Sequence, residues 1–128
     1  MLEVKPSTDP TLLAAYCKKC GKTPGAQHYL YLAKEKELQL AAGLFEMTSN
    51  QVEAILYEGG ENDPWLLDAV LRAGLNYAAG HGAGAAHLPE ELRRAHAELF
   101  AKLNYPPQAT FDIAAFFSNY KNCRTVGK

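Results

Sequence analysis

Cys17-Lys-Lys-Cys20 is the first pair whose residue types and spacing suggest chemistry. Redox CxxC pairs place their first cysteine at a helix N-terminus, where the dipole stabilises thiolate. Here Asp9-Pro10 reads as an N-cap followed by proline in the first turn, and Gly21 as the terminator. The pair therefore falls at the wrong helix end for a redox role. A zinc site would need two further ligands, and only Cys123 and His28 offer themselves at a distance. Three cysteines, an odd number, fit free thiols, and no metal is expected.

The histidines at 28, 81, 87 and 96 show no HxxxH or HExxH spacing. His96 lies on the apolar stripe of its helix and reads as a core histidine, whereas His81 follows a glycine and reads as exposed. No carboxylate or nucleophile partners either one in sequence, so no catalytic residue is assigned. Gly59-Gly60 precedes the capping pair Asp63-Pro64 and could present backbone N–H groups to a phosphate. Glu58, Glu61 and Asp63 crowd that turn, and no lysine or arginine follows until Arg72. This charge disfavours an anion.

These groups must be positioned by a short chain. Leu2 and Val4 alternate with Glu3 and Lys5 in a first strand ending at Pro6. The first helix then places Leu12, Leu13, Tyr16, Cys17 and Cys20 on one face. His28 to Lys34, Leu38 to Phe45 and Val52 to Tyr57 follow with a period of two, as an antiparallel meander, with Gly43 marking a bulge. From Pro64 to about Ala79 the chain reads as a helix apolar nearly all round. Its polar residues Asp68, Arg72 and Asn76 form a narrow wet stripe. Ala83 to Leu88 reads as a buried strand, and Pro89 opens a third helix with Leu92, His96, Leu99 and Leu103 inward. Thr110 to Phe117 closes with strand propensity, as a strand throughout or with its end at Phe117 finishing as a turn. The order β-α-β-β-β-α-β-α-β predicts an α/β (α+β) fold. Its mixed sheet is an antiparallel meander followed by parallel strands, flanked by three helices.

At 128 residues and 48% hydrophobic composition, the chain is expected to form one domain, 1–128, with a core that needs no staples. Thirteen basic and fourteen acidic residues give a net charge of −1, which removes the long-range attraction expected of a nucleic-acid or anionic-membrane binder. No apolar run approaches the ~20 residues that span a bilayer, and the N-terminus reads as a strand rather than a signal peptide. A cytoplasmic location is expected. The central helix carries Trp65, Leu66, Leu67, Val70, Leu71, Leu75 and Tyr77, and the closing segment adds Phe111, Phe116 and Phe117. That apolar surplus predicts a homodimer.

The element order resembles the GNAT acyltransferase fold, in which an antiparallel meander leads to a fourth strand, a long helix and a splayed fifth strand. Ala97-Glu-Leu-Phe-Ala-Lys-Leu-Asn-Tyr105 is similar to the family's A-x-L-Y-x-K-x-G-F helix ending. Glu3-Val-Lys-Pro6, Cys17-Lys-Lys-Cys-Gly21, Leu71-Arg-Ala-Gly-Leu-Asn-Tyr77 and Phe116-Phe117 resemble small GNAT-like proteins of Firmicutes. The resemblance implies an acyl-CoA-dependent N-acyltransferase using acetyl-CoA on a small-molecule substrate, with Gly59, Gly60 and Asn62 as cofactor-binding residues. The alternative is a non-catalytic GNAT-shaped module that binds a ligand or protein. Family members hold the coenzyme A pyrophosphate with a Q/R-x-x-G-x-G/A loop. Tyr57-Glu-Gly-Gly-Glu-Asn-Asp-Pro64 lacks its basic lead and its G-x-G spacing. Many members also protonate the leaving thiolate with a tyrosine where this chain has Phe100. Coenzyme A binding is therefore expected to be weak or absent.

Overall fold

The computed structural model describes residues 2–59 and 63–118. Gly60, Glu61, Asn62, Asn119 and Cys123 lie outside the described residues. Ten elements follow one another: β1 (Leu2–Pro6), α1 (Pro10–Lys19), β2 (His28–Glu35), β3 (Leu38–Thr48), β4 (Gln51–Gly59), α2 (Pro64–Gly80), β5 (Ala85–His87), α3 (Glu90–Ala95), α4 (Ala97–Lys102) and β6 (Thr110–Asp112). Residues 113–118 are helical. The capping pairs start α1 and α2 as the sequence predicts. Asp9 Oδ1 accepts from the N–H groups of Thr11 (2.9 Å) and Leu12 (3.3 Å), and Asp63 Oδ1 from Leu66 N–H (3.1 Å).

The strands form one six-stranded sheet in chain order. β1 to β4 are antiparallel, β4 and β5 parallel, and β5 and β6 antiparallel again. The mixed sheet is therefore as expected, except that its last pair turns back. α2, α3 and α4 cover one face and share a core with Phe45, Val52, Ala54 and Tyr57. The other face carries a smaller cluster of Leu30, Leu32, Ala42 and Leu44 beneath Tyr16 and Cys17 of α1.

Four expectations are corrected. The third helix divides at His96, which ends α3 and starts α4 with φ −125° and ψ 32°. Leu99 and Phe100, about 100° apart around α4, are both buried. The closing strand stops at Asp112, whose carboxylate accepts from Ala115 N–H at 2.8 Å and caps the helical residues 113–118. The bulge lies one residue beyond Gly43, between Leu44 and Phe45, where Ile55 is the extra residue of β4. Gly43 has a different cause, because a Cβ there would stand 2.6 Å from Val70 Cγ1. Finally, the stripe on α2 is wet only at its end, where Asn76 is exposed. Asp68 is buried and accepts from Arg72 Nε at 2.9 Å and from Tyr105 Oη at 2.8 Å.

The apolar surplus of α2 is absorbed inside the chain. Leu66, Leu67, Val70, Leu71 and Leu75 are buried by the sheet, α4 and Phe116, leaving Trp65 (73% exposed) and Tyr77 at the surface. No helix among the described residues is long and apolar enough to cross a membrane.

Candidate functional site

β4 runs to Gly59, but its pairing with β5 covers only Gln51↔Ala85, Val52↔Ala86 and Glu53↔His87. β5 then ends, and Pro89, which has no N–H to offer a ladder, leads into α3. Among the described residues, no strand neighbours the β5-side edge of β4 from Ala54 to Gly59. At about 3.3 Å per residue this is roughly 20 Å of open edge. The bulge at Ile55 begins within it, and the edge ends at the N-terminus of α2. Unpaired strand edges bind extended chains through their backbone groups.

Tyr57 stands on the α2 face of this segment and is buried. The ring of His96 meets it edge-on, with centroids 5.3 Å apart, from the α3–α4 junction. Burial holds the His96 pKa below its ordinary value, opposed in part by a hydrogen bond to the Tyr57 backbone. At the end of the edge, a Cβ on Gly59 would come within 2.5 Å of Ala41 Cβ and 2.7 Å of Tyr57 Oη. Glycine is thus required here by the close approach of β3 and of that hydroxyl. Of the predicted cofactor residues, Gly59 is placed at this end of the gap, while Gly60 and Asn62 lie outside the described residues.

The charge of the turn differs from its sequence reading. Lys19 reaches across from α1 to Glu58 at 3.1 Å, so one of the three crowding acids has a cation beside it. Asp63 is occupied as the cap of α2 and holds its carboxylate where an anion would sit. Glu61 lies outside the described residues.

Along the rest of the chain, the other candidate groups are structural. Cys20 caps the C-terminal end of α1, as predicted, and burial raises the pKa of both Cys17 and Cys20. Among the described residues no group of three His, Cys, Asp or Glu side chains could hold a metal. His28 is buried, its Nδ1 accepts from Gly25 N–H at 3.1 Å, and its Nε2 lies 3.8 Å from Glu46. His81 packs on Tyr77, and His87 bonds Thr110 Oγ1 at 2.8 Å. A separate cleft of about 240 Å³ lies at the β1 edge, lined in part by Lys5, Ser7, Thr8, Asp9 and Lys34. Asp9 there caps α1 and Lys5 pairs with Glu3 at 3.3 Å, so its polar groups do not converge on a centre.

No protein-family profile matches the chain, and no curated protein matches it. Solved structures do. The ribosomal-protein-S18-alanine N-acetyltransferase from Escherichia coli aligns with a TM-score of 0.65 and 14% identity, over 88% of this chain and 94% of that one. A GNAT family acetyltransferase from Elizabethkingia anophelis, solved with acetyl-CoA, aligns at 0.58 and 13%, over 80% and 74%. The chain has the GNAT fold. A Bacillus subtilis acetyltransferase in complex with CoA also aligns, at 0.57 and 14%, over 84% and 77%. These neighbours come from different bacterial groups, so they carry the GNAT fold and not the narrower likeness to Firmicutes proteins.

Within the GNAT fold, the separation of β4 and β5 is the splay that the resemblance implies. Phe100 lies in α4, where its buried ring packs against Tyr105 and carries no proton to give. Tyr105 cannot stand in, since its hydroxyl is buried on Asp68. Sequence reasoning missed Tyr57 and Lys19. The bulge that places Tyr57 on the α2 face shifts the period of β4, and the Lys19–Glu58 pair spans 39 residues.

Proposed function

We propose that the chain is an acyl-CoA-dependent N-acyltransferase that works in the cytoplasm on a small-molecule amine, with a curtailed cofactor loop. The observation that carries this reading is the open edge of β4 beyond Glu53. The pantetheine arm of acetyl-CoA is an extended chain with two amides, and such a chain can complete a strand edge by backbone hydrogen bonds. Gly59, Gly60 and Asn62 would then hold the diphosphate end, and the amine would reach the thioester through the gap. With phenylalanine at position 100, the leaving thiolate gains no proton from that side chain, and turnover is expected to be slow.

Titration with acetyl-CoA, followed by chromatographic detection of CoA released in the presence of a panel of amines, tests the reading. Binding weaker than micromolar is expected, with amine-dependent release. Absence of binding at millimolar acetyl-CoA overturns it, and binding without release for any amine leaves the non-catalytic module. The weakness is assigned to Asp63. Asp63→Ser keeps a capping oxygen while removing a charge worth about 1 kcal/mol at this range, so it is expected to tighten acetyl-CoA binding about fivefold. An unchanged affinity would show that the acid does not oppose the ligand.

A homodimer belongs to the same reading on a narrower basis, the exposed rings of Trp65 and Tyr77. Sedimentation equilibrium at micromolar protein reads it, and a single species at the monomer mass ends it.

A further inference from the structure

β1 stands at one edge of the sheet, and β2 is its single neighbour among the described strands. Its register sets Leu2 opposite Glu35, Val4 opposite Ala33 and Pro6 opposite Tyr31, with Glu3 opposite Lys34 and Lys5 opposite Leu32. The bond from Ser7 N–H to the Leu30 carbonyl, at 2.8 Å, continues that register and fixes which backbone groups point inward. Inward and outward groups alternate along an antiparallel strand, so those of Ser7, Lys5 and Glu3 face β2. The N–H and C=O groups of Leu2 and Val4, and the C=O of Pro6, therefore face away from the sheet. Pro6 stands where its missing N–H leaves the ladder to β2 intact. On the α1 side, a cleft of about 240 Å³ lies between Glu3 and Lys5 of the strand and Leu12 of α1, and both charged side chains are exposed.

Open edges pair with extended chains unless charge or proline prevents it. Here the order of the charges favours one arrangement. We propose that β1 pairs with β1 of a second copy of this chain, antiparallel about a twofold axis at Val4, so that one sheet runs through both chains. The outward N–H and C=O of Val4 then exchange bonds with the partner's Val4, and Leu2 N–H donates to the carbonyl of the partner's Pro6. Proline is asked only to accept. Glu3 lies opposite the partner's Lys5, at a position without ladder bonds, where facing side chains come closest. Each charge thus gains an opposite one across the axis. The alternatives lose this match. An axis at Glu3 sets it against the partner's Glu3, an axis at Lys5 sets it against the partner's Lys5, and in-register parallel pairing brings like charges together at both positions. Apolar groups lie at the same edge. Leu2 is 44% exposed, and the ring of the exposed Tyr77 is 6.3 Å from that of Tyr31, which pairs with Pro6. Val4 and Tyr31 pack on the core beneath α2, so on that face the pairing lays Val4 against the partner's Val4 and Leu2 against the partner's Pro6. The inference rests on the homodimer reading and gives it a surface.

The test is sedimentation equilibrium of wild type, Lys5→Glu, the double variant Glu3→Lys with Lys5→Glu, and Val4→Pro, with a thermal melt of each. Lys5→Glu sets acids against acids across the axis and is expected to weaken the dimer about tenfold. The double variant restores opposite charges and is expected to return it to wild-type strength. Val4→Pro removes an N–H that β2 does not use, so the chain is expected to stay folded and to sediment as a monomer. Equal dimer strength in wild type and Lys5→Glu, or a double variant as weak as Lys5→Glu, would overturn the edge pairing and leave the homodimer to another surface. A folded, dimeric Val4→Pro would do the same; if that variant unfolds, the charge exchange decides alone. Wild type at the monomer mass would instead remove the homodimer reading, and this inference with it.

Discussion

Asp68→Ala is expected to lower the free energy of unfolding by about 3–5 kcal/mol, because it removes one partner of a buried ion pair. Asp68 accepts from Arg72 Nε through both oxygens, at 2.9 and 3.0 Å, and from Tyr105 Oη at 2.8 Å. The Arg72 guanidinium in turn lies 4.6 Å from the Phe116 ring and 5.4 Å from the Phe117 ring. This one carboxylate therefore ties α2 to the end of α4 and to the helical residues that close the chain. Its loss leaves a largely buried guanidinium without its carboxylate. Urea denaturation at neutral pH measures the effect. A loss below 1 kcal/mol would mean that water or other groups replace the carboxylate with little penalty.

The second large effect lies where α2 meets the sheet. A Cβ at Gly74 would stand 2.1 Å from Phe45 Cζ, and the Tyr29 hydroxyl donates to the Gly74 carbonyl at 2.6 Å. Phe45 is fully buried and stacks on Tyr29 with centroids 5.2 Å apart. In an exposed helix, glycine to alanine would stabilise by up to about 1 kcal/mol. Here Gly74→Ala is expected to destabilise by about 1–3 kcal/mol, because the ring beneath cannot yield without leaving its stack. Phe45→Ala should cost about 3–5 kcal/mol through the cavity it leaves. The double variant should lose less than the two single losses added, since the new methyl then enters the vacated space. Additive losses would show that Gly74 and Phe45 are not in contact.

The sequence made local features legible and left long-range ones hidden. Asp9-Pro10 and Asp63-Pro64 announced their helices because a capping carboxylate acts on N–H groups two or three residues away. The meander followed from its period of two. Asp68 and Arg72 misled because polar residues four apart mark a solvated face as readily as an intrahelical ion pair. What buries the pair is Tyr105, 37 residues further on. The closing segment was misread differently. The β propensity of its phenylalanines outweighed the signal of Asp112 ahead of Ile113-Ala-Ala115, an N-cap followed by helix formers. At the candidate site, Gly59 was singled out from its type and stands at the end of β4. The burial of Tyr57 could not be read in the same way, because it depends on what packs around the ring.

The sheet lists its strands in the same order as the chain, from β1 at one edge to β6 at the other. Among the described residues every strand therefore pairs with a strand next to it in sequence, and none of these strands must be threaded between strands made earlier. The meander from β2 to β4 can close hairpin by hairpin, each with little loop entropy to overcome. The parallel joint between β4 and β5 is different, since it must wait for the whole of α2. On a ribosome, the surface of the meander that α2 will cover is left exposed until that helix emerges. Chain arrest or slow translation between Gly59 and Gly80 is thus the interval in which this protein is most open to aggregation.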